Sequence, residues 1–201
     1  MSNPKWFKYE WIWIKSGPSG FVQAKNKPMS KHENILVFSD GVTVHSTQSQ
    51  KRMYYFPQNL IEIHKKVSGI RSSRGAGGIA KRPSHKSKII QTHTNYPTTD
   101  IYVAKQNNTT HPTQKPVALI EYLIKTYTIE GELVLDNTAG SGTLAIAAIN
   151  TNRRYICIEK DHDYFQVSCD RVANHDPNAL AIPKKKKKPR AIIEGQLALF
   201  G

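Results

Sequence analysis

The sequence predicts an α/β fold built from parallel βαβ units, and three observations in its second half carry that prediction. An apolar strand at 132–136 ends on Asp136 and runs into the turn Asn137-Thr138-Ala139-Gly140-Ser141-Gly142-Thr143, which opens a small-residue helix at 142–150. A second apolar stretch at 154–158 follows and closes on Glu159, 23 positions after Asp136, before a helix at 161–173. Strands that alternate with helices over short connections pair in parallel. The arrangement suits a nucleoside ligand: glycines let the backbone approach closely, a helix N-terminus is electropositive, and an acid ending the second strand accepts hydrogen bonds from ribose hydroxyls. A Gly-Ser-Gly turn alone is a weak signal. Strand, turn, helix, strand and terminal acid in order are much stronger.

The remaining elements follow along the chain. Residues 9–15 (Tyr-Glu-Trp-Ile-Trp-Ile-Lys) and 34–38 (Asn-Ile-Leu-Val-Phe) read as strands, the second so apolar that burial is expected, with a Gly/Pro-punctuated loop at 16–31 between them. Residues 41–98 have poor periodicity, many charges and Arg74-Gly75-Ala76-Gly77-Gly78, the marks of an insertion with mobile loops and few core positions. A short strand is expected at 101–103. Leu119, Ile120, Leu123, Ile124 and Tyr127 recur at helical spacing over 117–127, and Pro116 suits the start of that helix. Beyond Pro177 the chain turns to linker and tail.

Lys and Arg outnumber Asp and Glu by 29 to 15, a formal charge of +14. The excess is concentrated: from Lys51 to Lys88 there are ten basic residues, among them Arg52, Arg71, Arg74, Lys81 and Arg82, against the single acid Glu62. A second run is Lys184 to Lys188 with Arg190. Two such runs beside a nucleoside-type pocket favour a polyanionic partner, most simply nucleic acid. Cys157 and Cys169 lack metal-type spacing and read as reduced structural thiols. The eight histidines are scattered, so no metal site is expected. There is neither a signal peptide nor an apolar run near transmembrane length, so no membrane partner is expected.

With these residues in view, the chain resembles the DNA amino-methyltransferases that modify adenine N6 or cytosine N4 with S-adenosylmethionine, in the permuted order where the catalytic half precedes the cofactor half. The resemblance spans roughly residues 6–173. It rests on Glu10-Trp11-Ile12-Trp13-Ile14-Lys15, His32-Glu33-Asn34-Ile35-Leu36-Val37-Phe38, His111-Pro112-Thr113-Gln114-Lys115-Pro116, Asp136 to Thr143, and Ile158-Glu159-Lys160-Asp161. It implies a partial Rossmann-like methyltransferase fold with a basic target-recognition insertion. Residues 1–40 would be the last strands of the catalytic half, 41–98 the insertion, 99–175 the cofactor half, and 176–201 a basic linker and tail. By the same resemblance Asp136, Gly140, Ser141, Gly142 and Thr143 form the cofactor loop, Glu159 binds ribose, and Thr113, Lys115 and Pro116 line the methionine end. Lys51, Arg52, Arg71, Arg74, Lys81 and Arg82 would contact double-stranded DNA. The setting implied is the cytoplasm of a bacterium or a phage-infected cell.

One part of the pattern is missing. The family's Asp-Pro-Pro-Tyr motif, whose polar residue holds the target amine and whose aromatic stacks on the flipped base, occurs nowhere in the chain, so no catalytic residue is assigned. The expectation is therefore the back half of an enzyme, completed by an upstream polypeptide, with a missing strand due between 132–136 and 9–15. Adenine is the expected acceptor on prevalence. The alternative is a non-catalytic DNA-binding remnant or adaptor. Its tether would be the lysine run, and Gln196, Leu197, Leu199 and Phe200 resemble the short peptide that docks on the bacterial sliding clamp.

Overall fold

The computed structural model describes residues 4–43, 51–69, 89–106 and 113–177. Alternation governs the first strand, β1 (Phe7–Ser19). Tyr9, Trp11, Trp13 and Lys15 share one face, and the last three are buried. β2 (Ser30–Phe38) returns antiparallel beside it, with Trp11 opposite Ile35 and Trp13 opposite Glu33. β3 (Ile61–Gly69) and β4 (Ile89–Thr94) form a separate antiparallel pair, and on the other side of β1 the strand β5 (Asp100–Tyr102) comes back parallel, with Ile12 opposite Asp100 and Ile14 opposite Tyr102. The first sheet thus has the order β2-β1-β5.

Helix α1 (Val117–Tyr127) lies on the tryptophan face of that sheet, and Trp11, Trp13, Val37, Ile101 and Leu119 make one core. Its far side meets α2 (Thr143–Asn150), where Ile124, Ala147 and Ala148 are buried with Val134 and Leu144 against them. The alanines of α2 permit this close approach. β6 (Leu133–Asp136) and β7 (Arg154–Cys157) flank α2 in sequence and pair in parallel, Asp136 opposite Cys157. α3 (His162–Ala173) follows, capped by Asp161, whose carboxylate accepts the amides of Asp163 and Tyr164. The three helices begin and end within a residue or so of their expected positions, because each start is marked by proline, glycine or aspartate.

Four expectations need correction. β2 is apolar yet mostly open: only Val37 is buried, while Leu36 and Phe38 are exposed, because alternation turns them away from the face that packs on α1. The loop expected at 16–31 is shorter, since β1 runs to Ser19 and β2 starts at Ser30. Residues 41–98 contain an antiparallel pair, β3–β4, with a register shift between Glu62 and Val67, whose polar sequence hid its period. Finally, strand 9–15 has no free edge, being flanked by β2 and β5. Among the described residues the first sheet ends at β2 and β5, and β6 and β7 each keep an outer edge in theirs.

A hydrogen-bonded cluster closes the far end of the first core. Trp11 Nε1 donates to Tyr127 Oη, which also lies 3.0 Å from Tyr9 Oη. Burial and the Tyr9 hydroxyl push the Tyr127 phenol far above its ordinary pKa, so it stays neutral. Tyr127→Phe orphans the indole N–H of a tryptophan that is only 3 % exposed. The expected cost is about 1–2 kcal/mol, read as a shift in the urea midpoint with an unchanged slope.

Candidate functional site

The carboxylate of Asp136, at the end of β6, starts the turn by accepting the Thr138 amide at 3.0 Å. Gly140 and Gly142 then take left-handed backbone conformations, with φ of 52° and 73°. That pair lets the chain double back into α2. Glu159 stands just beyond β7, across from the turn. Its Oε2 accepts the Gly140 amide at 2.6 Å and its Oε1 the Asp161 amide at 3.0 Å. The Asp161 and Gly140 amides hold the carboxyl below the usual glutamate range. Both oxygens retain acceptor capacity after these bonds, since a carboxylate offers about four lone-pair sites.

The segment before α1 is fastened to this turn. Ser141, which is buried, donates its hydroxyl to Gln114 Oε1 at 2.8 Å. Pro116 is buried at the start of α1, and Thr113 is exposed. Lys115 turns toward the first sheet. Its Nζ bonds Glu33 Oε2 at 2.7 Å and sits 5.9 Å from the Trp13 ring centroid. The other Glu33 oxygen faces Lys15, 3.4 Å away, whose ammonium is buried and donates to Ser19 at 3.0 Å. Burial pushes the Glu33 carboxyl up, but Lys115 and Lys15 more than offset that, and it titrates below the ordinary range.

A third support comes from α3. Arg171 Nη1 donates to Ser141 O at 3.0 Å and reaches Ser141 Oγ and Thr143 Oγ1 at 3.2 Å each. Burial draws its guanidinium pKa down. Beneath the turn is a cleft of about 340 Å3 lined by Ala139, Gly142, Glu159, Phe165, Ser168 and Cys169 among others, within the size range of small-molecule pockets. The turn, Glu159 and the 113–116 segment therefore converge at one end of the sheets.

The family comparison bears on this same architecture. A family model described as DNA methylase, of the N6/N4 type, matches residues 1–170. The chain belongs to this DNA methylase family. Among curated methylases it is 29% identical over 180 residues to the DNA adenine methyltransferase YhdJ of Escherichia coli K12, covering 88% of this chain and 56% of that protein. It is 27% identical over 158 residues to the type II methyltransferase M.HpaI of Haemophilus parainfluenzae, 79% of this chain and 43% of that one. The chain thus spans about half the length of these relatives. In fold it is similar to the PvuII cytosine-N4-specific DNA methyltransferase, with a TM-score of 0.51 at 15% identity over 85% of this chain and 53% of that one.

Of the residues expected to contact DNA, the structure describes Lys51 and Arg52. Lys51 is exposed and pairs with Asp40, and Arg52 borders a cavity with Tyr9, Trp11 and Met53. That is the opposite end of β1 from Lys15, roughly 20 Å away for six residues of strand. Arg71, Arg74, Lys81 and Arg82 lie outside the described residues, as do Gln196, Leu197, Leu199 and Phe200. Among the described residues no helix is long and apolar enough to cross a membrane.

Sequence reasoning missed Arg171 and the Lys15–Glu33–Lys115 chain. Ser168 and Arg171 sit three apart and so share a helix face, but nothing in the sequence says that this face turns to the glycines. Arg171→Met is expected to leave the fold intact, to cost about 1–2 kcal/mol, and to speed amide exchange at 140–143 measured by hydrogen–deuterium exchange.

Proposed function

We propose that this chain is the cofactor-binding and DNA-contacting part of an S-adenosylmethionine-dependent DNA amino-methyltransferase with adenine N6 as acceptor. The observation that carries the reading is the pairing of the Gly140–Gly142 turn with Glu159, one ionised carboxylate with spare acceptor sites facing backbone that no Cβ obstructs. S-adenosylmethionine would supply an electrophilic methyl group there. Glu159 would accept the two ribose hydroxyls, the turn would give the ligand close access to the backbone, and Gln114 and Arg171 would keep the turn in place. Adenine is supported by the likeness to YhdJ over 88% of this chain.

The group that holds the target amine is proposed to lie on a polypeptide segment set against the open edges of β6 and β2. Parallel strands are normally covered on both faces, whereas Leu133 and Leu135 of β6 are 50% and 61% exposed and Ile156 of β7 is 47% exposed. Such a segment would bring both a strand for β6 and an Asp-Pro-Pro-Tyr-type acceptor site.

The test is methyl transfer to duplex DNA by this chain, alone and mixed with a polypeptide carrying that motif, followed by mass spectrometry of the nucleosides. N6-methyladenine from the mixture only is the expected result. N4-methylcytosine would overturn the base assignment, full activity of the chain alone would overturn the shared site, and no S-adenosylmethionine binding in calorimetry would overturn the whole reading. Duplex binding by the chain should weaken with salt at a log–log slope near about −5 if roughly six phosphates are neutralised.

A further inference from the structure

The turn joining β1 to β2 presents two neighbouring apolar side chains to solvent, Phe21 at 82% and Val22 at 96% exposure. Isolated exposed hydrophobics are ordinary, but this pair is adjacent, at the tip of a projection, and built on a stiff base. Gly20 turns the chain with φ 92°, Gln23 and Ala24 amides bond the Gly20 and Phe21 carbonyls at 3.0 Å each, and those of Asn26 and Lys27 bond the Gln23 carbonyl at 2.9 and 3.0 Å. At the root, Ser19 Oγ receives Lys15 Nζ and donates to the Ser30 carbonyl. The projection leaves the same end of β1 at which Lys15 meets Glu33 and Lys115, hence the end that holds the glycine turn.

The turn itself carries only basic charges. Residues 16–32 contain no Asp or Glu, and Lys25, Lys27 and Lys31 are all exposed. An apolar tip ringed by cations fits a duplex, whose interior is a stack of apolar faces and whose rim is phosphate. A protein or lipid face would have to match the tip without using the ring, whereas DNA matches both.

We propose that the 20–29 turn is a DNA wedge: Phe21 and Val22 enter the base stack beside the target, and Lys25, Lys27 and Lys31 hold the flanking phosphates. This rests on the DNA methyltransferase reading and adds the element that fills the gap a flipped base leaves. An extruded base costs stacking on both of its neighbours, and a side chain inserted in its place restores apolar contact without needing to recognise sequence.

The experiment measures binding of the full chain, by fluorescence anisotropy, to a short duplex and to the same duplex with one abasic site. The wild-type chain should favour the abasic duplex by about tenfold. A Phe21→Ala, Val22→Ala double variant should keep its affinity for the intact duplex and lose the preference. A Phe21→Trp variant should keep the preference, and its emission should be quenched on the abasic duplex. A preference retained in the double variant, an equal loss on both duplexes, or no preference in the wild type with the salt slope intact would each overturn the wedge alone. Absence of binding to either duplex would overturn the DNA reading and the wedge with it.

Discussion

Gly142→Val is expected to abolish S-adenosylmethionine binding and to destabilise the chain by about 2–5 kcal/mol. Two independent costs meet at this position. The backbone is left-handed, at φ 73°, which costs a β-branched residue about 1–2 kcal/mol. A Cβ there would also stand 2.9 Å from Ser168 Cβ. Ser168 lies on a regular helix and cannot swing aside as a flexible tip would, so α3 must shift, at about 1–3 kcal/mol. Moving α3 also moves Arg171, which holds the Ser141 carbonyl and the Thr143 hydroxyl, so the turn loses its shape as well as its space. Urea denaturation reads the first effect. Calorimetric titration reads the second, with at least about a hundredfold weaker binding corresponding to about 2.7 kcal/mol. Binding within severalfold of the wild type would show that the turn is not where the ligand sits.

Glu33→Gln removes the carboxylate that faces two ammonium groups, one of them the buried Lys15. Breaking a fully buried pair costs about 3–5 kcal/mol. Glu33 is 38% open to solvent, so about 2 kcal/mol is the expected loss near neutral pH. The pH dependence separates charge from packing. Lys115 and Lys15 keep the folded-state pKa of Glu33 below its unfolded value, so the ion pair stabilises fully above the unfolded value of about 4.3 and fades as pH falls through the folded one. The stability gap between wild type and variant should be flat from about pH 8 to 5 and close in more acid solution. A gap unchanged down to the acid transition would assign the effect to shape.

The two halves of the chain were not equally legible. Around β6, α2 and β7 each boundary carries a chemical mark, the acid Asp136, the glycines, the small residues of α2 and then Glu159, and the expected parallel unit is found in register. There the local sequence and the tertiary fold ask for the same thing. β2 shows the opposite case. Its run of Ile35, Leu36, Val37 and Phe38 reads as buried because apolarity reports what a strand can have on both sides, not whether those neighbours are present. The antiparallel β3–β4 unit stayed hidden because Glu62 and His93, which pair across it, are polar, and alternation is visible only where one face is apolar. At the site, the glycines and Glu159 were legible as a spaced pattern. Arg171, Glu33 and Lys15 were not, because each acts through a residue on a different element, and such pairings exist only once the elements have packed.

Strand β1 is where the chain both leaves and comes back. β2 runs along one of its edges, β5 along the other, and everything between Phe38 and Asp100 is an excursion that starts and finishes on the same strand. The entropy of closing such an excursion grows only slowly with its length, and Lys115 still reaches Glu33 whatever lies between them. Met53, Phe56 and Gln58 of the excursion pack on the core and α1, so it is the part from Asn59 to Asn95 whose lengthening, shortening or replacement is expected to leave the glycine turn and its supports in place. This makes the segment a natural place for grafting: on the proposal that it contacts DNA, recognition of a new sequence could be exchanged there as a cassette.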